Sequence, residues 1–279
     1  MTQRLPTAPA LPPSQAGQID IEGVEQRYTL GAQEMVALGG IDLSIRAGEF
    51  VCLLGPSGCG KSTLLNAIAG FTSPTAGRIS VDGVPVRGPA PDRGMVFQEY
   101  ALFPWMTVAK NIAFGLEIKR MPRAEIEHRT RTLLDTLSLS EFGDRYPKDL
   151  SGGMRQRVAI ARILALDPPI LLMDEPFGAL DALTRRTLQD EVLRLWEETA
   201  KTVVFVTHSI EESIYLADRI VVMTDRPGTI KTVVPVPLPR PRDTAQAEFN
   251  AIKRELAQLV MEKRDCTADE GIKRAILAC

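Results

Sequence analysis

Cysteine and long apolar runs are scarce in this chain of 279 residues. The four cysteines, Cys52, Cys59, Cys266 and Cys279, lie far apart and form no C-x-x-C pair. This usage is typical of reduced thiols in the cytosol and provides no zinc site. No apolar stretch reaches the roughly 18 residues that a membrane-spanning helix needs. We therefore expect neither a disulfide-stapled domain nor a membrane-spanning chain.

An excess of positive charge is missing as well. The chain has 33 Lys and Arg residues against 35 Asp and Glu residues, which gives a net charge of −2 at pH 7. Because nucleic-acid binding relies on a basic surface, we expect no nucleic-acid partner. Residues 1–17 are rich in proline and alanine, which predicts a disordered tail and not the apolar segment of a signal peptide. The protein is therefore expected to stay in the cytosol, where a partner can hold it against a membrane.

What the sequence does contain is a glycine-rich loop in the context that phosphate binding requires. Residues 55–63 read GPSGCGKST, with an apolar run at 50–54 before them and a helix-compatible segment at 64–69 after them. This is the pattern G-x-x-x-x-G-K-[ST] between a strand and a helix. Its glycines let backbone N–H groups point at phosphate oxygens, and the helix N-terminus adds positive potential. The alternative, a glycine-rich turn that binds nothing, does not explain the Lys-Ser pair at this place.

The loop therefore predicts a nucleoside triphosphate site. Lys61 is expected to reach the β- and γ-phosphates, and the Ser62 hydroxyl to ligate Mg²⁺. The thiol of Cys59 lies beside a helix N-terminus and Lys61, so we expect a reactive thiolate that ATP protects from maleimide. The predicted nucleotide-binding residues of the loop are Gly55, Pro56, Ser57, Gly58, Cys59, Gly60, Lys61, Ser62 and Thr63.

Hydrophobic periodicity predicts an α/β fold of the P-loop NTPase type. Alternating apolar residues between 19 and 45, and a segment at 77–83 that ends in an Asp-Gly turn, predict an N-terminal antiparallel β-subdomain. Continuous apolar runs at 170–173, 203–206 and 220–223 are separated by helical segments. Such runs predict a parallel-sheet core with both faces covered.

The period changes to helical between residue 107 and about residue 165. Thr107 is a candidate N-cap, and Pro168 is expected to stop the last of these helices. The predicted helices cover 108–116, 123–137 and 155–166. An amphipathic helix after a proline-rich connector either packs on its own domain or serves a partner. The predicted ranges are 1–17 for the tail, 18–240 for the ATPase domain with a helical subdomain at about 99–166, and 241–279 for a C-terminal helical extension.

Two adjacent carboxylates follow the buried run at 170–173. Asp174 and Glu175 stand at the strand edge where ligands bind in open α/β sheets. Asp174 suits Mg²⁺ binding, directly or through water, and Glu175 suits the base for an attacking water. The alternative is a solvated turn. Next to a phosphate-binding loop, the functional interpretation is the one we expect.

Three further places combine polar groups with the ends of helices or strands. Ser151 can cap a helix whose start carries Gly152 and Gly153, so that exposed N–H groups form a second anion site. The alternative there is an ordinary capped helix. His208 and Gln98 each follow an apolar strand, and the amide of Gln98 can touch Mg²⁺ or the attacking water.

Together these motifs resemble those of the ATP-binding-cassette (ABC) ATPases over about residues 18–240. In the order of that family they are Walker A at 55–63, the Q-loop at Gln98, the signature at 150–156, Walker B at 171–176, the D-loop at 179–181 and the H-switch at 207–208. The resemblance implies a head-to-tail homodimer that binds ATP and Mg²⁺. In this dimer Ser151, Gly152 and Gly153 of one subunit would cap the ATP held by the other.

The resemblance also implies roles for single residues. Glu175 would be the catalytic base, and His208 would contact the γ-phosphate. Tyr28, expected just after the first strand, would stack on adenine. The implied metal-binding residues are Ser62, Gln98 and Asp174, and the implied partners in the signature and the D-loop are Gln156 and Asp181.

Residues outside these motifs, at 91–94, 103–105, 226–228 and 239–243, resemble the nitrate/sulfonate/taurine importer ATPases. That likeness implies an ATPase on the cytoplasmic face of the membrane, bound to permease subunits and served indirectly by a periplasmic binding protein. Tyr100, Phe103 and Trp105 would receive a helix of the permease, or else form the core of the helical lobe.

Two alternatives stay open within the ABC ATPases. One is the ATPase of an exporter or of a lipid-handling system, which differs only in the weaker importer-like residues. The other is a non-transport ATPase of repair or translation. Such proteins usually carry coiled-coil insertions, zinc cysteines or two cassettes, and this chain shows none of these features in its sequence.

Overall fold

The strand that leads into the glycine-rich loop is central in the larger of two sheets. The computed structural model describes residues 16–31 and 33–261. Over these residues the elements, in chain order, are β1 (Ile19–Leu30), β2 (Gln33–Ile45), β3 (Phe50–Leu54), α1 (Lys61–Ala69), β4 (Ala76–Val81), β5 (Val84–Pro85), β6 (Arg93–Val96), α2 (Val108–Ile118), α3 (Arg123–Thr136), α4 (Gly152–Leu164), β7 (Ile170–Asp174), α5 (Ala182–Thr199), β8 (Thr202–Thr207), α6 (Ile210–Leu216), β9 (Arg219–Met223), β10 (Ile230–Pro235) and α7 (Ala247–Met261).

The larger sheet is the parallel core that the apolar runs predict. Its order is β10-β9-β3-β8-β7-β6, and every neighbouring pair is parallel except β10 with β9. Alternate residues of β3 serve two cores. Phe50, Cys52 and Leu54 pack towards α5 and α6, whereas Val51 and Leu53 pack towards α1 and the smaller sheet. The carboxyl ends of these strands form one edge, so residues that follow β3, β6, β7 and β8 gather there.

The smaller sheet is antiparallel and has the order β2-β1-β4-β5. Its register pairs the alternating residues, for example Ile19 with Ile45 and Ile21 with Leu43. Asp82 and Gly83 turn the chain from β4 to β5 with φ of 49° and 76°, the left-handed values that a tight hairpin needs. The predicted antiparallel subdomain is therefore confirmed.

The inserted helices α2, α3 and α4 lie between β6 and β7 and share a core of their own. Thr107 caps α2, because its hydroxyl accepts the Lys110 N–H at 3.3 Å. The limits of α4 that the apolar spacing predicted, 155–166, were wrong, whereas the predicted cap at Ser151 is confirmed. This helix begins at Gly152, where Ser151 caps it, and ends at Leu164, well before the prolines. A turn with Asp167 at φ 53° follows instead.

The C-terminal helix α7 packs on its own domain. Phe249 and Leu256 are fully buried in the core that β3 shares with α5 and α6. Arg242 in the preceding connector is buried as well, and it donates hydrogen bonds to the carbonyls of Ile214 and Ala217 near the end of α6. Burial lowers the pKa of Arg242 to about 10. The extension is thus hydrogen-bonded to the end of α6, the helix that follows His208.

None of the helices in the described ranges is long and apolar enough to cross a bilayer. The predicted disordered tail falls almost wholly on residues 1–15, which lie outside the described residues. The same holds for residues 262–279 of the C-terminal extension, which include Cys266 and Cys279.

Candidate nucleotide-binding site

The glycine-rich loop curls around the N-terminus of α1. Gly58 and Gly60 adopt φ of 78° and 98°, which only glycine reaches without strain. A side chain at Gly60 would also place its Cβ 2.7 Å from Leu38 and 3.0 Å from the Ala37 carbonyl. Because the first N–H groups of a helix have no intrahelical acceptor, this arrangement can offer them to an anion.

Lys61 places its charge within the loop. Its side chain is buried, and its Nζ donates to the carbonyls of Gly55 and Pro56, both at 2.8 Å. Loop N–H groups and a lysine ammonium are the donors that a triphosphate needs. The geometry therefore fits the predicted phosphate site.

The expectation of a reactive Cys59 was wrong. Its side chain is only 1% exposed. The thiol lies beneath the loop, since a Cβ built on Gly55 would lie 2.9 Å from the Cys59 sulfur. The Cys59 Sγ is 3.8 Å from the Lys61 Nζ, as the short sequence distance suggested, but its burial restricts the access of a reagent.

We predict that maleimide labels Cys59 slowly in the folded protein. A matched positive control is Ser57→Cys, because residue 57 is exposed in the same loop. Mass spectrometry of the separated peptides should show fast labelling at residue 57 of that variant. Labelling of Cys59 should become fast only in denaturant. Rapid labelling of native Cys59 would contradict its burial beneath the loop.

Ser62 and Asp174 meet at the strand edge, where a divalent cation could be held. The Ser62 hydroxyl donates to the Asp174 carboxylate at 2.9 Å. Desolvation raises the pKa of Asp174, and the Ser62 hydrogen bond and the charge of Lys61 oppose this effect. In the described part of the chain, no three His, Cys, Asp or Glu residues cluster closely enough to hold a metal. One hydroxyl and one carboxylate nevertheless fit Mg²⁺, which usually completes its oxygen ligands with phosphates and water.

Glu175 and His208 are brought together at the same edge. The Glu175 Oε2 lies 3.1 Å from the His208 Nδ1. Glu175 has φ of 43°, and its N–H donates to the Val206 carbonyl at 3.0 Å, which fixes the turn after β7. Its side chain is 19% exposed against 60% for His208. A carboxylate oriented in this way can accept a proton from water.

The sequence predicted the position of Gln98 correctly, but not that of Tyr28. Gln98 is exposed just after β6, as predicted. Tyr28 was expected after the first strand, but it lies within β1, paired with Met35. Tyr28 is 37% exposed, which leaves part of the residue accessible to a base.

The signature turn, residues 150–153 before and at the start of α4, lies beside the start of α5. The Ser151 hydroxyl accepts the Met154 N–H at 3.3 Å, and Asp181 caps α5 by accepting the Thr184 N–H at 3.0 Å. The hydrogen bonds that Asp181 accepts, first of all from Thr184, lower its pKa. A Cβ at Gly153 would lie 2.5 Å from the Thr184 Cγ2, so a side chain there would have to displace Thr184.

A cleft of about 230 Å³ opens beside this turn, and no residue of the glycine-rich loop lines it. Its lining residues are Ser151, Gly153, Met154, Arg157, Leu183, Thr184 and Thr187. Gln156 faces away from the cleft into the interior, where it is fully buried. Neither atom of its carboxamide has a partner among the described residues. The role of Gln156 in binding the partner's ATP therefore stays a prediction.

Asn111 and Arg162 support the segment after Gln98, and sequence reasoning missed both. The buried Asn111 amide donates to the carbonyls of Phe103, Met106 and Thr107. Arg162 donates to the Ala101 carbonyl at 2.7 Å. A polar residue in the apolar stretch of α2 is the one signal that could have pointed to Asn111.

The aromatic side chains of this segment are partly exposed. Trp105 is 70% exposed, and its ring centroid lies 5.6 Å from that of Phe103. Phe103 in turn packs on Phe114 of α2 at 4.6 Å. The hydroxyl of Tyr100 lies close to Gly152, because a Cβ there would be 3.3 Å away. Tyr100 thus bridges the Q-loop segment and the signature turn.

The phosphate loop, the paired carboxylates and the signature turn occur on one chain. A comparison with known sequences identifies the family that has this combination. The sequence model of the family described as ABC transporter matches residues 38–178. This chain belongs to the ABC transporter family. Members of the family hydrolyse ATP, and the chain is accordingly an ATP-binding ABC ATPase.

Relatives of this ABC ATPase are 48% identical to it. One is an uncharacterised ABC transporter ATP-binding protein of Methanocaldococcus jannaschii, aligned over 88% of this chain and 92% of the relative. The nitrate import ATP-binding protein NrtD of Synechocystis aligns over 79% and 83%, respectively. The taurine import ATP-binding protein TauB of Roseobacter denitrificans aligns over 76% and 80%.

The fold of this ABC ATPase is that of solved ATP-binding cassettes. One was solved as a dimer in a post-hydrolysis state with ADP and Pi. It has a TM-score of 0.71 and 35% identity, and the match covers 78% of this chain and 98% of the other. The predicted P-loop fold with a β-subdomain and inserted helices is confirmed.

Proposed function

We propose that this ABC ATPase energises an importer for a small oxyanion or organic acid, such as nitrate, a sulfonate or taurine. The observation that carries the proposal is the equal 48% identity to proteins named for the import of nitrate, taurine and bicarbonate. Equal identity to all three supports the class of solute and does not favour one member. The protein would lie on the cytoplasmic face of the membrane, bound to permease subunits and supplied through a periplasmic binding protein.

Within each subunit, the residues at the strand edge take separate roles. The loop 55–63 binds the triphosphate, with Tyr28 against the adenine. Ser62, Asp174 and Gln98 would hold Mg²⁺, which would neutralise charge on the phosphates. Glu175 would accept the proton of the attacking water, and His208 would contact the γ-phosphate. The contact between the Glu175 carboxylate and the His208 imidazole at 3.1 Å supports this division.

A complete site needs a second subunit. The signature residues Ser151, Gly152 and Gly153 line or adjoin a cleft that contains no residue of the phosphate loop. In a head-to-tail homodimer, that turn would close over the ATP of the partner, with Gln156 and Asp181 supporting it. A solved dimer of a related cassette with ADP and Pi is consistent with this assembly.

The inserted helices would carry the contact with the permease. We take residues 18–240 as the ATPase domain, 99–166 as its helical subdomain and 241–279 as the C-terminal extension. Trp105 exposes an apolar ring at the start of the helical part, beside Phe103 and Tyr100. An apolar helix of the permease could pack on these rings.

Solute uptake tests the proposed transport role. Deleting the gene from its host should reduce uptake of labelled nitrate, taurine, a sulfonate or bicarbonate to background. The parent gene should restore uptake and Glu175→Gln should not. Glu211→Gln, an exposed glutamate on α6 paired with Lys253, is the matched control and should restore it. Unchanged uptake together with impaired export of a solute would instead favour the exporter alternative.

A further inference from the structure

The turn that joins β9 to β10 packs against the back of the phosphate loop. Thr224 closes the turn, since its N–H donates to the Thr229 carbonyl at 2.9 Å and its hydroxyl accepts the Thr229 N–H at 3.0 Å. The turn is also bound to β2. Gly228 donates to the Ala37 carbonyl at 2.9 Å and accepts from the Gly39 N–H at 3.0 Å. The turn is therefore held from two sides.

Gly228 shows how closely this turn approaches the phosphate loop. A Cβ at this position would lie 1.9 Å from the carbonyl oxygen of Cys59. No side chain fits there unless the backbone of one of the two segments moves. The conformation of the phosphate loop and that of the turn thus depend on each other.

Arg226 extends from this turn to the phosphate loop. Its Nε and Nη2 donate to the Gly58 carbonyl at 3.3 and 3.1 Å. In a trans peptide unit the carbonyl and the next N–H point in opposite directions. Because Arg226 holds the Gly58 carbonyl, the Cys59 N–H points to the opposite side of the peptide, where it donates to the Pro56 carbonyl at 3.4 Å.

The same guanidinium reaches the strand hairpin that carries the predicted adenine platform. Its Nη1 lies 3.0 Å from the sulfur of Met35. Met35 is the register partner of Tyr28 in the β1–β2 pair. One side chain therefore touches both the segment that binds phosphate and the hairpin that carries Tyr28.

We propose that Arg226 is a positioning residue for bound nucleotide. It holds the peptide between Gly58 and Cys59 in the orientation that shapes the phosphate loop, and it links this loop to the hairpin that carries Tyr28. The proposal rests on the assignment of residues 55–63 as the phosphate-binding loop. It gives Arg226 a role at the nucleotide site through the loop, whereas the sequence linked the segment 226–228 only to a class of importer.

Steady-state ATPase kinetics of Arg226→Ala test this role. The KM for ATP should rise about 5- to 10-fold, while kcat changes less than about twofold, because a charge-assisted hydrogen bond to the loop is lost and the groups at Glu175 are untouched. Arg226→Lys should recover part of the loss, since an ammonium can still donate to the Gly58 carbonyl. The melting temperature without nucleotide should match the parent, and the rise that ATP causes should shrink.

Arg123→Ala is the matched control, since this 94% exposed arginine of α3 pairs with Glu127 away from the loop. A KM for Arg226→Ala equal to that of the control would overturn the proposal. A fall in kcat together with a lower melting temperature without nucleotide would also overturn it, by showing a purely structural role.

Lys61→Ala separates this inference from the site assignment on which it rests. If Lys61→Ala binds ATP as the parent does, the assignment of the loop fails and the inference fails with it. If Lys61→Ala loses binding while Arg226→Ala keeps the parent KM, only the role of Arg226 is rejected.

Discussion

Replacing Glu175 by Gln should reduce ATP hydrolysis by about 10²- to 10⁴-fold, the usual contribution of a general base. The amide keeps the shape of the side chain and its place beside His208 at the end of β7. It cannot accept a proton, so the attacking water is not activated. The phosphate loop and the Ser62–Asp174 pair are unchanged, and ATP binding should persist.

Two measurements on Glu175→Gln separate binding from chemistry. Equilibrium binding of ATP should be close to that of the parent, whereas phosphate release should be nearly lost. With hydrolysis blocked, size-exclusion chromatography in Mg-free ATP should show a stable dimer. Glu211→Gln, which removes an exposed carboxylate of α6, should behave as the parent in all three. Turnover near the parent level in Glu175→Gln would remove Glu175 from the role of base.

The sheet core could be predicted because its strands are continuous apolar runs. The runs at 170–173, 203–206 and 220–223 fall within β7, β8 and β9, and each strand extends the run by one or two residues at most. Helix limits were less accessible to sequence reasoning. The apolar spacing placed the start of α4 at residue 155, whereas the cap at Ser151, which the sequence also indicated, starts the helix at Gly152.

The gathering of the site at one sheet edge was also predictable, since parallel strands place their carboxyl ends together. The orientation of single side chains was not. Cys59 points beneath the loop because the glycines beside it take left-handed φ values. Arg226 contacts Gly58 across 168 positions of sequence, and its turn approaches through the pairing of β9 with β3. Such contacts require the assembled sheet.

Mixing two inactive variants should restore hydrolysis if each ATP site is built from two chains. Ser151→Arg introduces a bulky cation into the cleft at the start of α4 and leaves the phosphate loop intact. Lys61→Ala removes the buried ammonium of the loop and leaves the signature intact. A heterodimer then contains one site with both elements intact. Random pairing in an equal mixture should give about a quarter of the parent activity, provided that the two sites act independently.

Two controls make this complementation decisive. Ser151→Arg also removes a helix cap, which costs about 1 kcal/mol. Thr107→Arg removes the corresponding cap of α2. The Thr107 hydroxyl accepts an N–H at the same 3.3 Å, and this variant should keep its activity.

If hydrolysis needs both sites together, the mixture stays inactive. Counting trapped ATP in the Glu175→Gln background resolves that case. Each heterodimer should retain one nucleotide, and each homodimer of the double variants should retain none. Retention of two by Ser151→Arg homodimers would show that one chain builds the whole site.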